Sequence, residues 1–234
     1  MKKQHIVVLF SLVLVASCKK DSPAPVDLGL EYFPINIGNY VEYQVDSTYL
    51  DEPFGAQPVF VSYELREVLT EAFVDAQGRP SQRIERFVKD SAGSWVIRDV
   101  WYQHRSSTRA ERVEENQRKV RMVFRPGADK YWNLNAYNSY VSPITGVSEL
   151  EMTYTAIDEP AVVNGFSFDS TVVVNTTYLD NLVNSIEEKE RYAKHVGLIE
   201  KEWIEQNSQF DSPSGMWLTK GWHVTYKLIG YGTR

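Results

Sequence analysis

The sequence predicts a mainly β protein: a single antiparallel β-barrel or curved-sheet domain, with little helix outside a signal peptide. Apolar and polar residues alternate through most of the chain, and short turn clusters such as DAQGRP (75–80) separate the alternating runs. No long stretch has a clear apolar stripe at helical spacing, and no repeat of fixed period is present. We therefore expect one β-rich domain over residues 31–234.

The first strands show the alternation most clearly. In YVEYQVD (40–46), Val41, Tyr43 and Val45 alternate with polar side chains, which predicts a strand with one face in solvent. A second strand is expected over 59–69. RIERFVKD and SWVIRDVWYQ flank the turn DSAGS (90–94), an arrangement that predicts a hairpin.

The segment RAERVEENQRKVRMVF (109–124) is ambiguous. It has a weak helical stripe, but it also fits a hairpin whose tip is EENQ, and its β-branched residues favour the hairpin. We expect its charges to lie in solvent rather than to form a binding patch. Further strands are predicted near the following ranges: 148–157, 170–178, 185–195, 198–205 and 217–229.

The N-terminus reads as an export signal. Met1 is followed by two lysines and an apolar run over 6–16, far shorter than the roughly 20 residues that span a bilayer. Ala16 and Ser17 precede Cys18 and resemble the lipobox of bacterial lipoproteins, which implies cleavage before Cys18 and lipid attachment, with acyl chains such as palmitate, at this cysteine. We therefore predict a signal peptide over 1–17 and a lipidated N-terminus with a flexible tether over 18–30.

The residues after Cys18 bear on the location of the protein. No aspartate follows Cys18 directly, so resemblance to lipoprotein sorting favours the outer membrane over retention in the inner membrane. The lipid on Cys18 makes the membrane the expected partner. Whether the domain faces the periplasm or the cell surface is left open.

Composition excludes several classes of function. The formal net charge of −6 disfavours nucleic acid as a partner. A single cysteine allows no internal disulfide and no cysteine-rich zinc site. With 43% apolar and 24% charged residues, the chain has the composition of a folded protein.

The sequence offers no motif of known chemistry. His104, His195 and His223 lack the spacing of a metal site or a catalytic triad, and no nucleophile elbow, P-loop or dinucleotide-binding turn occurs. We therefore predict no catalytic residue, no metal site and no cofactor. In IEEKER (186–191), alternation places Glu188 and Glu190 on one face, where they would suit glycosidic chemistry across a cleft or, more simply, charge pairs between strands.

The loop YWNLNAYNSY (131–140) is the predicted ligand loop. Aromatic faces beside amide groups suit sugars and peptides, although asparagines also cap their own backbone and Trp can close the edge of a core. The candidate ligand-binding residues are Tyr131, Trp132, Asn133, Asn135, Tyr137 and Asn138.

Three segments carry a resemblance to a known family. YFPINIGNYVEYQVD (32–46), MVFRPGADKYWNLNAYN (122–138) and RYAKHVGLIEKEW (191–203) resemble segments of an uncharacterised lipoprotein family of Bacteroidota. The chain departs from the family pattern at Val41, where tryptophan is usual, and at Arg125, between Phe124 and Pro126. The resemblance implies a β-rich extracytoplasmic lipoprotein and no catalytic residue.

Three functions remain for such a chain. The first is a non-enzymatic binding or scaffold lipoprotein that contacts an envelope protein, a glycan or the envelope surface. The second is a carrier that encloses an apolar ligand such as a lipid in a half-barrel. The third is an envelope hydrolase with an acidic site. A dry apolar cavity would favour the carrier, and facing carboxylates in an open cleft would favour the hydrolase.

Overall fold

The computed structural model describes residues 26–176 and 179–234, with the side chains of residues 179 and 180 excepted. The predicted signal peptide, Cys18 and the first part of the predicted tether lie outside the described residues. The last part of that tether contacts the domain, since Arg105 Nη1 donates a hydrogen bond of 2.8 Å to the carbonyl of Leu30.

The described chain is built from antiparallel strands, as the alternating pattern predicts. Its helices are two short 3-10 turns, Leu30–Tyr32 and Glu52–Phe54, and within the described ranges no helix has the length and apolarity needed to cross a membrane. The strands are β1 Asn39–Asp51, β2 Val59–Val74, β3 Pro80–Lys89, β4 Trp95–Arg105, β5 Arg109–Glu114, β6 Gln117–Val123, β7 Tyr131–Asn133, β8 Glu151–Val163, β9 Phe166–Thr176, β10 Leu179–Asp180, β11 Asn184–Ala193, β12 Gly197–Asp211 and β13 Met216–Thr233.

One sheet contains all of these strands. Their order is β6-β5-β4-β3-β2-β1-β13-β12-β11-β9-β8-β7, with β10 paired to β11 beside this path. The two edges of the sheet approach each other, because Val120 N on β6 donates to the carbonyl of Leu134, just after β7, at 2.8 Å. Trp132 Nε1 also donates to the carbonyl of Val120 at 2.8 Å. The sheet is therefore a nearly closed barrel, and the prediction of a barrel or curved sheet is confirmed.

The ambiguous segment 109–124 is the hairpin β5–β6. Glu115 and Asn116 form its tip with φ values of 46° and 64°, the left-handed conformation that tight hairpin turns require. The expectation that its charges lie in solvent is wrong: Glu111 is 1% and Arg121 is 2% exposed. Curling of the sheet brings Arg121 to Glu188 and Glu190 on β11, whereas Glu111 is paired with Arg79 and Arg109.

One end of the barrel is closed by an apolar core. Phe33 packs against Tyr192 with ring centroids 6.2 Å apart, and the Tyr43 hydroxyl donates to the carbonyl of Leu198 at 2.8 Å. His195 N donates to the carbonyl of Glu31 at 2.8 Å, which fixes the entry of the chain at this end. Further core side chains are Val45, Leu65, Ile84, Met122, Leu134, Met152, Val172, Ile199 and Leu228.

Candidate ligand cleft at the open end of the barrel

A layer of buried ion pairs lies above the apolar core. Arg121 Nη1 donates to Glu188 at 2.5 Å and to Glu190 at 3.1 Å, and Arg121 Nη2 donates to Glu114 at 2.5 Å. Lys201 Nζ donates to Glu188 at 2.6 Å and to Glu190 at 3.1 Å. The prediction that Glu188 and Glu190 share a face and pair with charges on a neighbouring strand is confirmed, since Lys201 stands directly opposite Glu190 on β12.

The same layer continues under the opposite wall. Arg86 Nε donates to Glu67 at 2.9 Å, and Arg86 Nη1 lies 3.0 Å from Asp99. Arg112 Nη1 reaches the second oxygen of Glu67 at 3.1 Å. These bonds join β2, β3, β4 and β5, so charged side chains from most of the barrel wall meet at one level.

The ion pairs keep the carboxyl groups of Glu114 and Glu188 ionised. Burial opposes ionisation of Glu188, but the neighbouring Lys201 and Arg121 outweigh it and hold its pKa below the usual range. Burial likewise opposes ionisation of Glu114, and Arg121 with Lys119 holds its pKa well below 4.5. Neither group therefore carries a proton near neutral pH.

An open cleft of about 450 Å³ lies above this charged layer. Its walls are largely aromatic and its floor is charged. Alternation along each strand places the wall residues on the inner face of the barrel. Pairing of β12 with β13 then brings their inward side chains next to each other, as with Trp203 opposite Val224. The lining comprises Ser47, Tyr63, Trp101, Trp203, Trp222, Val224 and Tyr226 on the walls and Glu114, Lys119, Glu188 and Lys201 below.

Two of the three tryptophans in the cleft are supported by other side chains. Arg86 stacks on Trp101, with its guanidinium carbon 3.5 Å from the ring centroid. Trp222 packs against Tyr49 with ring centroids 4.3 Å apart. Rings held in this way are preorganised for contact with a flat ligand.

A side pocket of about 200 Å³ extends the cleft beneath the loop that follows β7. It shares Trp101, Glu114, Lys119, Glu188 and Trp203 with the cleft, and Tyr140 and Glu205 are among the residues it adds. The two spaces thus meet along a border of both aromatic and charged side chains.

The predicted ligand loop divides between packing and the side pocket. Trp132 is buried and packs on Tyr154 with ring centroids 5.1 Å apart. Asn133 Oδ1 accepts from Asn135 N at 2.9 Å, and Asn138 Nδ2 donates to the carbonyl of Arg118 at 2.8 Å.

Of the six predicted ligand residues, Asn135 lines the side pocket, while Tyr131 and Tyr137 are exposed. A ligand role for this loop stays a prediction.

The histidines lie apart from the cleft. His104 Nδ1 is 2.7 Å from the carbonyl of Pro80, and His223 Nε2 is 3.0 Å from Glu202. Within the part of the chain that the structure describes, no group of three His, Cys, Asp or Glu side chains is arranged to hold a metal ion.

Sequence reasoning missed the three tryptophans of the cleft. Trp101 and Trp203 lie in segments that the alternation assigns to strands, but which face of each strand becomes the inside depends on how the sheet closes. One signal could have identified the inward direction of Trp203. Trp203 lies on the same strand face as Lys201, and Lys201 stands opposite Glu190 on the neighbouring strand.

Comparison with known proteins gives limited similarity. No family model and no curated protein matches the chain. A crystal structure of a candidate lipoprotein from Parabacteroides distasonis is similar, with TM-score 0.45 and 9% identity over 86% of this chain and 98% of that chain. A candidate exported protein with a YmcC-like fold from Bacteroides fragilis has TM-score 0.38 and 10% identity over 85% of this chain and 98% of that chain.

Proposed function

We propose that this protein is a lipid-anchored lipoprotein of the bacterial outer membrane that binds a saccharide in the cleft and performs no catalysis. The observation that carries the proposal is the arrangement of Trp101, Trp203 and Trp222 above a floor of ionised side chains. A sugar ring has flat C–H surfaces that stack on aromatic rings, and hydroxyl groups that both donate and accept hydrogen bonds. The C–H faces of such a ligand suit the aromatic walls of the cleft, and its hydroxyl groups suit the charged floor.

The charged floor argues against a carrier of acyl chains. A lipid tail in the cleft would rest on Lys119, Lys201 and Glu188 and would remove water from them without replacing its hydrogen bonds, which is costly. Below this floor the interior is filled by its own apolar side chains. A hydroxyl-rich ligand avoids this cost because it hydrogen-bonds to the same groups.

The ionised state of the floor argues against a hydrolase that uses these acids. Glycosidic hydrolysis needs one carboxyl group that holds a proton near the working pH. Glu114 and Glu188 have lowered pKa values and share Arg121 as a partner. They suit hydrogen bonding to a ligand better than proton transfer.

The position of the tether supports a cleft that faces away from the membrane. The chain enters the domain at the closed end. There the carbonyl of Glu31 accepts a hydrogen bond from His195 N, and the carbonyl of Leu30 accepts one from Arg105 Nη1. Strands β1, β2, β12 and β13 run from that end to the open mouth. A lipid on Cys18 would therefore hold the closed end toward the bilayer and leave the mouth accessible to a soluble or surface-linked saccharide.

Binding to a panel of oligosaccharides tests the proposal. We expect tryptophan fluorescence of the full-length protein to change on binding, and Trp203→Ala to weaken the affinity about tenfold through lost stacking. Trp95→Ala is the matched control, because Trp95 stacks on Arg66 away from the cleft. Absence of binding by every saccharide tested, or equal loss in both variants, would overturn the proposal.

A further inference from the structure

Glu205 differs from the other buried glutamates of the barrel. Glu67, Glu114 and Glu188 each form an ion pair with Arg or Lys, as do Glu111 and Glu190. Glu205 is only 6% exposed, yet within the described residues it forms no ion pair with Lys, Arg or His. Its hydrogen-bond donors are two neutral hydroxyls, that of Ser142 and that of Thr145, the second at the long distance of 3.4 Å.

The groups around Glu205 do not neutralise it. Lys119 on β6 attracts it weakly from outside contact distance, while ionised Glu188 on β11 repels it. Glu114 and Glu115 line the same side pocket and add negative charge, and Tyr140 supplies a neutral hydroxyl. Burial is the largest influence on Glu205 and raises its pKa; the hydrogen bonds from Ser142 and Thr145 oppose this rise without cancelling it, and repulsion by Glu188 adds to it.

Two of the cleft tryptophans flank this carboxyl group. Trp203 lies two positions earlier on the same face of β12, and Trp222 stands directly opposite Glu205 on β13. Indole faces attract cations, most strongly where water is excluded. A positive charge placed here would interact with both rings and with the carboxylate.

We infer that Glu205, flanked by Trp203 and Trp222, binds a protonated amino group of the ligand, so that the saccharide is an amino sugar with a free amine. The inference rests on the proposed function and narrows its substrate class. A neutral saccharide would leave the buried carboxylate with hydroxyl donors but no cationic partner, whereas an ammonium group supplies the missing positive charge. Acetylation of the amine removes that charge while keeping the sugar ring.

Oligomers of glucosamine and of N-acetylglucosamine make a matched pair of probes, because they share the ring and differ in the charge at nitrogen. Near neutral pH the full-length protein should bind the glucosamine oligomer on the order of thirtyfold more tightly, the size expected for a desolvated charge pair. Glu205→Gln should abolish this preference. Glu202→Gln should keep it, because Glu202 lies on the opposite face of β12 and contacts His223.

The pH dependence provides a second measurement. Because the carboxylate must be ionised to bind an ammonium group, the preference should weaken as pH falls through the raised pKa of Glu205. In Glu205→Gln this dependence should be absent, with circular dichroism confirming that the variant is folded.

The outcomes separate the two proposals. Equal or tighter binding of the acetylated oligomer, or a preference that survives Glu205→Gln, overturns the amine assignment while saccharide binding stands. If the panel contains no saccharide that binds, the proposed function itself fails and the amine assignment falls with it.

Discussion

Arg121 and Glu190 meet across the inside of the barrel: Nη1 of Arg121 lies 3.1 Å from Oε1 of Glu190, although the residues are 69 positions apart on β6 and β11. These two strands do not pair in the sheet. The contact therefore ties the β5–β6 hairpin to the far wall and completes the charged floor of the cleft.

Removing Arg121 should destabilise the fold strongly. Arg121→Met would leave Glu114, Glu188 and Glu190 without their shared partner inside the barrel. We expect the free energy of unfolding to fall by about 3–5 kcal/mol. Urea denaturation followed by tryptophan fluorescence measures this loss.

Arg83→Met is the control, because Arg83 pairs with Glu85 at a site where the Arg side chain is 40% exposed. Its effect should stay within about 1 kcal/mol. Equal losses in the two variants would show that the buried layer does not depend on Arg121.

Acid should weaken the fold through the same layer. Glu114 has a folded-state pKa well below its ordinary value of 4.5, so the stability it contributes is complete above that value and is lost as pH falls through the folded pKa. Glu188, whose pKa is lowered by Lys201 and Arg121, acts in the same direction. We expect the urea midpoint of the wild type to fall on acidification below about pH 4.5.

Glu114→Gln isolates this effect. The variant should be less stable than the wild type near neutral pH and should lose less stability on acidification. Parallel curves for the two proteins would contradict the assignment of acid sensitivity to this carboxyl group.

The strands could be predicted from sequence because the signal for them is local. The strand predicted from the alternation in 40–46 is part of β1, and the hairpin predicted around DSAGS is formed by β3 and β4. The hairpin over 109–124 was also predicted, since β-branched residues and a polar tip act over a few positions.

The site could not be predicted in the same way, because it depends on closure of the sheet. Arg121 would lie in solvent in an isolated β5–β6 hairpin, and it becomes buried only when β11 curves round to meet it. The partners of Arg121 on β11 lie 67 and 69 positions away. No local sequence pattern indicates that residues so far apart in the chain meet. The inward direction of Trp101 and Trp203 depends on the same closure of the sheet.

Replacing Glu205 should stabilise the protein near neutral pH. Its folded pKa is raised by burial above the ordinary value of 4.5, so ionisation at higher pH favours the unfolded chain and lowers stability. Glu205→Gln removes this cost and should raise the melting temperature by a few degrees, consistent with about 1 kcal/mol in a domain of this size. Differential scanning calorimetry measures the change.

The gain in Glu205→Gln should vanish below about pH 4, where the carboxyl group is protonated in both folded and unfolded states. Glu202→Gln provides the control on the outer face of the same strand. A lower melting temperature for Glu205→Gln than for the wild type at neutral pH would show that the fold itself stabilises the carboxylate. That result would contradict the inference that Glu205 lacks a stabilising charged partner until a ligand binds.

Cys18→Ser should release the protein from the membrane. The predicted leader is too short to span a bilayer, so attachment is expected to depend on acyl chains at Cys18, each buried methylene contributing about 0.8 kcal/mol. Serine lacks the thiol that would attack the lipid donor. Fractionation and fatty-acid labelling should move the variant from the membrane to the soluble fraction and remove its label, whereas Lys20→Ser in the same tether should keep both. A Cys18→Ser protein that stays membrane-bound and labelled would contradict the lipobox assignment and, with it, the orientation that points the cleft away from the bilayer.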